Sequence, residues 1–139
     1  MDELWARLRS FLYAFAGLRL LLREEHNARI HATITVLVVV AGIVLRVSPV
    51  EWGVLVICIG MVLAAEAFNS AIERIADYLT TERDERIRDI KDLAAGAVLL
   101  CAIAAAIVGL IVFVTHCLRL CLKNKIFGNV SNLFRPCVS

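Results

Sequence analysis

Residues 52–72 read WGVLVICIGMVLAAEAFNSAI, twenty-one residues in which Glu66 is the single formal charge. About twenty apolar residues cross the hydrocarbon core of a bilayer as a helix, so this stretch reads as a membrane span. A carboxylate inside such a span costs roughly 2.5–3.5 kcal/mol on insertion scales and marks a functional position. Asn69, Glu73 and Asp77 follow Glu66 at offsets of three, seven and eleven. Those offsets place all four on one face of a helix. Asn69 and Ser70 alone would suit a polar seam that glues spans together. Two glutamates on the same face are harder to explain that way, because each needs a partner or a cation.

The rest of the chain agrees with a membrane setting. It is 60% hydrophobic over 139 residues, with a mean hydropathy of +0.80, too apolar for a soluble domain. Residues 30–45 carry no formal charge, hold His31 near one end and are closed by Arg46; this span is short unless its ends snorkel. In residues 93–118 the only ionisable groups are His116, Cys101 and Cys117. Ahead of the spans, Leu4, Leu8, Phe11, Leu12, Phe15, Leu18 and Leu22 recur with helical period among Arg7, Arg9, Arg19 and Arg23. That pattern fits an amphipathic helix in the interface, or one packed on the span ends. The expectation is an all-α membrane protein: a surface helix over about 4–27 and three transmembrane helices over about 30–46, 52–72 and 93–116. Residues 1–116 form the membrane domain, and 117–139 read as a tail outside the bundle, with Gly128, Asn129 and Pro136.

Charge placement sets the orientation. Arg7, Arg9, Arg19, Arg23 and Arg29 precede the first span, and Arg74, Arg83, Arg86, Arg88 and Lys91 lie between the second and third. The turn around Ser48-Pro49 offers only Arg46. Positive-inside counting puts the N-terminus and the second loop in the cytoplasm. The tail is an exception, since Arg119, Lys123, Lys125 and Arg135 would then lie outside. A net charge of +2 is too small to imply a nucleic-acid partner. No cleavable leader is expected, because charge is scattered throughout residues 1–29. The cysteines at 58, 101, 117, 121 and 137 complete no metal pattern. Cys58 and Cys101 read as apolar filler, while Cys117, Cys121 and Cys137 are open to oxidation if the tail is external.

Two further clusters flank the spans. One is Arg23-Glu24-Glu25-His26-Asn27-Ala28-Arg29, and the other is Lys91-Asp92 at the mouth of the third span. Between them runs a charged connector, residues 78–91, in which Thr80 or Thr81 is placed to cap a helical continuation. A solvated turn or a positive-inside lysine would explain each cluster alone. Together with Glu66 and Glu73 they gather carboxylates and an ammonium on one side of the membrane, an inventory suited to magnesium and phosphates. No phosphate-binding glycine loop or protein-kinase motif set is present. Two rivals remain: a proton or ion conduit using Glu66 and Glu73, and a purely structural span. A conduit has no need of Glu25 with Lys91-Asp92.

The run Glu66-Ala-Phe-Asn69-Ser-Ala-Ile-Glu73, with Asp77 and then Lys91-Asp92-Leu-Ala-Ala-Gly-Ala-Val, resembles the signature of the small prokaryotic diacylglycerol kinase and undecaprenol kinase family. Glu25-His-Asn-Ala-Arg29-Ile-His31 is similar to that family's motif before its first span. The likeness covers about residues 10–116, and the tail departs from it. It implies a lipid kinase of the bacterial cytoplasmic membrane, homotrimeric, with composite sites between subunits facing the cytoplasm. It makes Glu66 the general base on the lipid hydroxyl, with Asn69 nearby. Glu25 and Glu73 would hold magnesium on ATP, and Lys91 and Asp92 would meet the phosphates. Tyr13, Glu82, Arg83 and Asp84 would lie near the nucleotide; members often carry His where this chain has Asp84. Arg19, Arg29 and Ala95 fall to the lipid side with Glu66, and either Arg7 or Arg9 would match the family's substrate-binding arginine. The acceptor is undecaprenol or diacylglycerol, with Ala94-Ala95 nearer the undecaprenol type.

Overall fold

The computed structural model describes residues 2–80 and 82–133, the side chains of Asp2, Leu4, Ala6, Cys121 and residues 123–133 excepted. These fold into four helices: α1 Asp2–Glu24, α2 His26–Leu45, α3 Pro49–Leu79 and α4 Glu85–Leu133. No strand occurs among the described residues. Three of the four helices, α2, α3 and α4, are long and apolar enough to cross a membrane. The thirty-one residues of α3 run roughly 46 Å at about 1.5 Å each, against a hydrocarbon core of about 30 Å. The helix is therefore longer than the apolar layer is thick.

Each junction has a local cause. Glu25 alone separates α1 from α2; its backbone is extended (φ −93°, ψ 123°) and its side chain makes no capping bond. The chain turns between α2 and α3 through Arg46, in the left-handed region at φ 56°. The amide of Val47 there reaches the Gly42 carbonyl at 3.1 Å. Ser48 then starts α3 with a reciprocal capping box. Its amide donates to Glu51 Oε2 (2.7 Å), and the Glu51 amide donates to Ser48 Oγ (3.3 Å). Pro49 occupies the first turn of α3, where its missing N–H is harmless.

The packed core lies at this turn end. Val47, Leu55 and Val112 are buried together, with Val38, Leu45, Trp52, Val108 and Phe113 around them. Gly42 is required here: a Cβ would come within 2.8 Å of the Trp52 ring. α3 and α4 form the most extensive helix pair.

Two expectations shift and a third is narrowed. α4 begins at Glu85 and runs unbroken through residue 133, so no change of structure marks residue 117. Residues 117–133 hold no proline, the first being Pro136, and the leucines and lysines after Leu118 favour continued helix. Asp84 performs the capping expected of Thr80 or Thr81: its Oδ1 accepts from the Arg86 amide at 2.8 Å. Thr80 instead closes α3, its hydroxyl accepting from the Glu82 amide at 3.1 Å; Thr81 lies outside the described residues. In α1 the apolar stripe is open. Leu8, Phe11, Leu12, Phe15 and Leu18 are exposed, and the buried residue is Leu21, which was not in the stripe; the Leu4 side chain lies outside the described ones. Cys58, Cys101 and Cys117 are free thiols, while Cys137 and the Cys121 side chain lie outside the description.

Candidate functional site

α3 turns its polar residues inward. Glu66 is 2% exposed, Asn69 6% and Ser70 4%, the only buried polar side chains among the described residues. Helical spacing explains the company: the buried Leu55, Val62, Glu66, Asn69, Ser70 and Ala76 form one stripe that changes from apolar to polar at Glu66. Asn69 Nδ2 donates to Glu73 Oε1 at 3.0 Å. Glu66 Oε2, Asn69 Oδ1 and Ser70 Oγ are buried without a hydrogen-bond partner among the described residues. Leaving such groups unmade costs about 1–3 kcal/mol each, and more for a charged one. His31, Glu73 and Glu25 are ionisable neighbours of Glu66.

Glu25 comes to this neighbourhood through Arg74. One guanidinium nitrogen of Arg74 lies 3.0 Å from Glu25 Oε1 and 3.0 Å from Glu24 Oε2, tying the α1–α2 elbow to α3. Beside it, between α1 and α3, an apolar hollow of about 520 Å³ is lined by Gly17, Leu18, Leu21, Ala67, Ser70 and Arg74.

The second group lies farther along. Asp77 is eleven residues from Glu66, roughly 16 Å along the helix axis. Its Oδ1 accepts from Lys91 Nζ at 2.7 Å. Around this ion pair Glu82, Arg83, Asp84, Arg88, Lys91 and Asp92 line a polar cleft of about 890 Å³.

The structure therefore divides the sequence-derived residues into two groups. Glu66, Asn69, Glu73 and Glu25 form one; Glu82, Arg83, Asp84, Lys91 and Asp92 form the other. Tyr13, Arg19, Arg29 and Ala95 are exposed and belong to neither. Sequence reasoning missed two pairings, Arg74 with Glu24 and Glu25, and Lys91 with Asp77. The available signal for the first was Arg74 itself, the only basic residue within α3, next to Glu73 and facing an excess of acid.

Comparison with known proteins gives the family. Residues 12–113 match the family described as prokaryotic diacylglycerol kinase. The undecaprenol kinase of Bacillus subtilis is 33% identical over 112 residues, 81% of this chain and 91% of that protein. The diacylglycerol kinase of Synechocystis is 39% identical over 101 residues, 72% of this chain and 58% of that protein. The diacylglycerol kinase of Escherichia coli K12 is 31% identical over 104 residues, 75% of this chain and 85% of that protein. The chain belongs to the prokaryotic diacylglycerol kinase family and is a lipid kinase, which sets the conduit and structural-span readings aside.

Proposed function

We propose that this member of the family transfers the γ-phosphate of MgATP to the hydroxyl of a membrane lipid alcohol, with Glu66 as general base. The supporting observation is Glu66 itself: 2% exposed, deep in an apolar span, with Oε2 unpartnered. A base held there takes the hydroxyl proton as the lipid oxygen attacks the γ-phosphorus; the bond to the β-phosphate oxygen breaks and ADP leaves. The hollow between α1 and α3 opens beside Ser70. It offers a hydroxyl on an apolar chain a path toward Glu66 without leaving the membrane, with Asn69 oriented by Glu73 at its side. Arg19 and Arg29 would meet the headgroup region of the bilayer, and Ala95 the lipid on a neighbouring surface.

Glu25 and Glu73 fit a magnesium ion as hard oxygen donors. Each has one oxygen engaged, by Arg74 and Asn69 respectively, and the other makes no hydrogen bond among the described residues. Two carboxylates would suit an ion that keeps several waters and takes its remaining ligands from phosphates. When bound, magnesium neutralises charge on the β- and γ-oxygens. Lys91 and Asp92, with Glu82, Arg83 and Asp84, would hold the nucleotide along the cleft, its phosphates directed toward Glu73. Asp84 is already engaged as a cap, and exposed Tyr13 would complete the nucleotide side. In a single chain the cleft and Glu66 are offset along α3, so a homotrimer with sites shared between subunits would bring them together. The open apolar stripe of α1 would lie in the cytoplasmic interface, with the active site facing the cytoplasm of a bacterial inner membrane.

For the acceptor, undecaprenol is the first choice and diacylglycerol the second. Transfer from radiolabelled ATP in mixed micelles, with and without magnesium, tests both. Labelled undecaprenyl phosphate made faster than labelled phosphatidic acid supports the choice; the reverse rate order overturns it. Transfer to neither from a folded oligomer would overturn the lipid-alcohol reading.

A further inference from the structure

We infer that Arg74 is a positioning residue for the metal-side carboxylate Glu25, and that Glu24 is the alternative acceptor that lets Arg74 release it. The inference rests on the reading of Glu25 and Glu73 as magnesium ligands. Its basis is the geometry of the elbow. Glu25 is the one non-helical residue between α1 and α2, it precedes the first turn of α2, and yet its side chain caps nothing. A glutamate in that position with no capping bond is free to rotate unless something else holds it. Arg74 does, at 3.0 Å. The same nitrogen sits 3.0 Å from Glu24, so two acidic side chains share one donor. Arg74 directly follows Glu73, whose own carboxylate is fixed by Asn69. Residues 69–74 of α3 thus orient both carboxylates, one through an amide and one through a guanidinium.

The sharing matters because Arg74 has two opposed effects. It orients Glu25, which favours cation binding, and its positive charge competes with a cation for that carboxylate. Glu24 resolves the conflict. When Glu25 turns to a cation, Arg74 keeps a full ion pair with Glu24 instead of being left without one. The elbow carries two acids to one base, and with Glu73 the cluster stays net negative and attractive to a divalent ion. Groups that orient metal ligands typically change metal affinity about 10–100-fold when removed.

Two variants separate this from a plain structural tie. Arg74→Met releases Glu25, and Glu24→Gln leaves Arg74 dedicated to Glu25. Manganese serves as the probe, its binding followed by electron paramagnetic resonance on the purified oligomer with a non-hydrolysable ATP analogue. Magnesium dependence of transfer runs in parallel. Both variants should weaken manganese binding, Arg74→Met by about tenfold. The magnesium concentration for half-maximal transfer should rise by the same factor. Arg74→Lys, which retains the charge and a donor, should recover most of the loss and certify the fold. Unchanged or tighter manganese binding in Arg74→Met would overturn the inference, as would a neutral Glu24→Gln, the result a plain tie predicts. Glu25→Gln is the control: if it leaves manganese binding intact, the metal-ligand reading fails first.

Discussion

The two ends of this helical bundle are built on opposite rules. At the turn between α2 and α3, Val47, Leu55 and Val112 close a packed core. The ring of Trp52 lies against Gly42, and Ser48 and Glu51 satisfy each other's backbone groups. Arg119 comes within 3.6 Å of Glu51 from α4 and His116 within 3.9 Å. Toward the other end of α3 the buried stripe becomes Glu66, Asn69 and Ser70, each with a buried polar atom unpartnered. One end is largely satisfied within a single chain and the other is not. Buried polar groups in native proteins are nearly always hydrogen-bonded, and these unpartnered atoms are what the proposed site rests on. His116 Nδ1 is the exception at the packed end, buried and unpartnered like the others.

That contrast predicts different kinds of failure. The largest should come from the packed end: Leu55→Ala removes a side chain that is 2% exposed and should cost about 2–5 kcal/mol of stability. Denaturant titration in micelles reads the loss, and the protein that remains folded should bind MgATP normally. At the polar end, Glu73→Gln should weaken MgATP about tenfold in KM with an unchanged melting temperature. A drop in stability instead would make Glu73 part of the scaffold and erase the contrast. Ser48→Ala breaks half of the capping box and should cost about 1 kcal/mol, again without a change in KM. Smallest, Arg46→Gly should relieve part of the roughly 1 kcal/mol associated with a left-handed non-glycine residue, seen as a slight rise in Tm.

The same contrast explains how much could be read from sequence. Three long apolar helices and the turn at Ser48-Pro49 were legible because hydropathy and turn chemistry are local. So was the Glu66, Asn69, Glu73 face, since helical spacing alone lines it up. The partners of these groups were not legible. Lys91 reaches Asp77 and Arg74 reaches Glu24 and Glu25 only once the registers of different helices are fixed, and no residue spacing encodes that. Asp84 illustrates a different limit: among two threonines and several acids in one connector, its role as cap to α4 depends on where Thr80 ends α3. The unbroken course of α4 to Leu133 was hidden by Gly128 and Asn129, which weaken a helix without ending it.

As the proposed base, Glu66 would be held inside the membrane for chemistry and not for packing. The most direct test measures, on one Glu66→Gln preparation, lipid phosphorylation, MgATP binding and melting temperature. Transfer should fall by about 10²–10⁴-fold, while MgATP binding stays and stability is unchanged or higher, since Glu66 Oε2 has no hydrogen bond among the described residues to lose. Retained transfer with a lowered melting temperature would make Glu66 a structural residue and rule it out as the base.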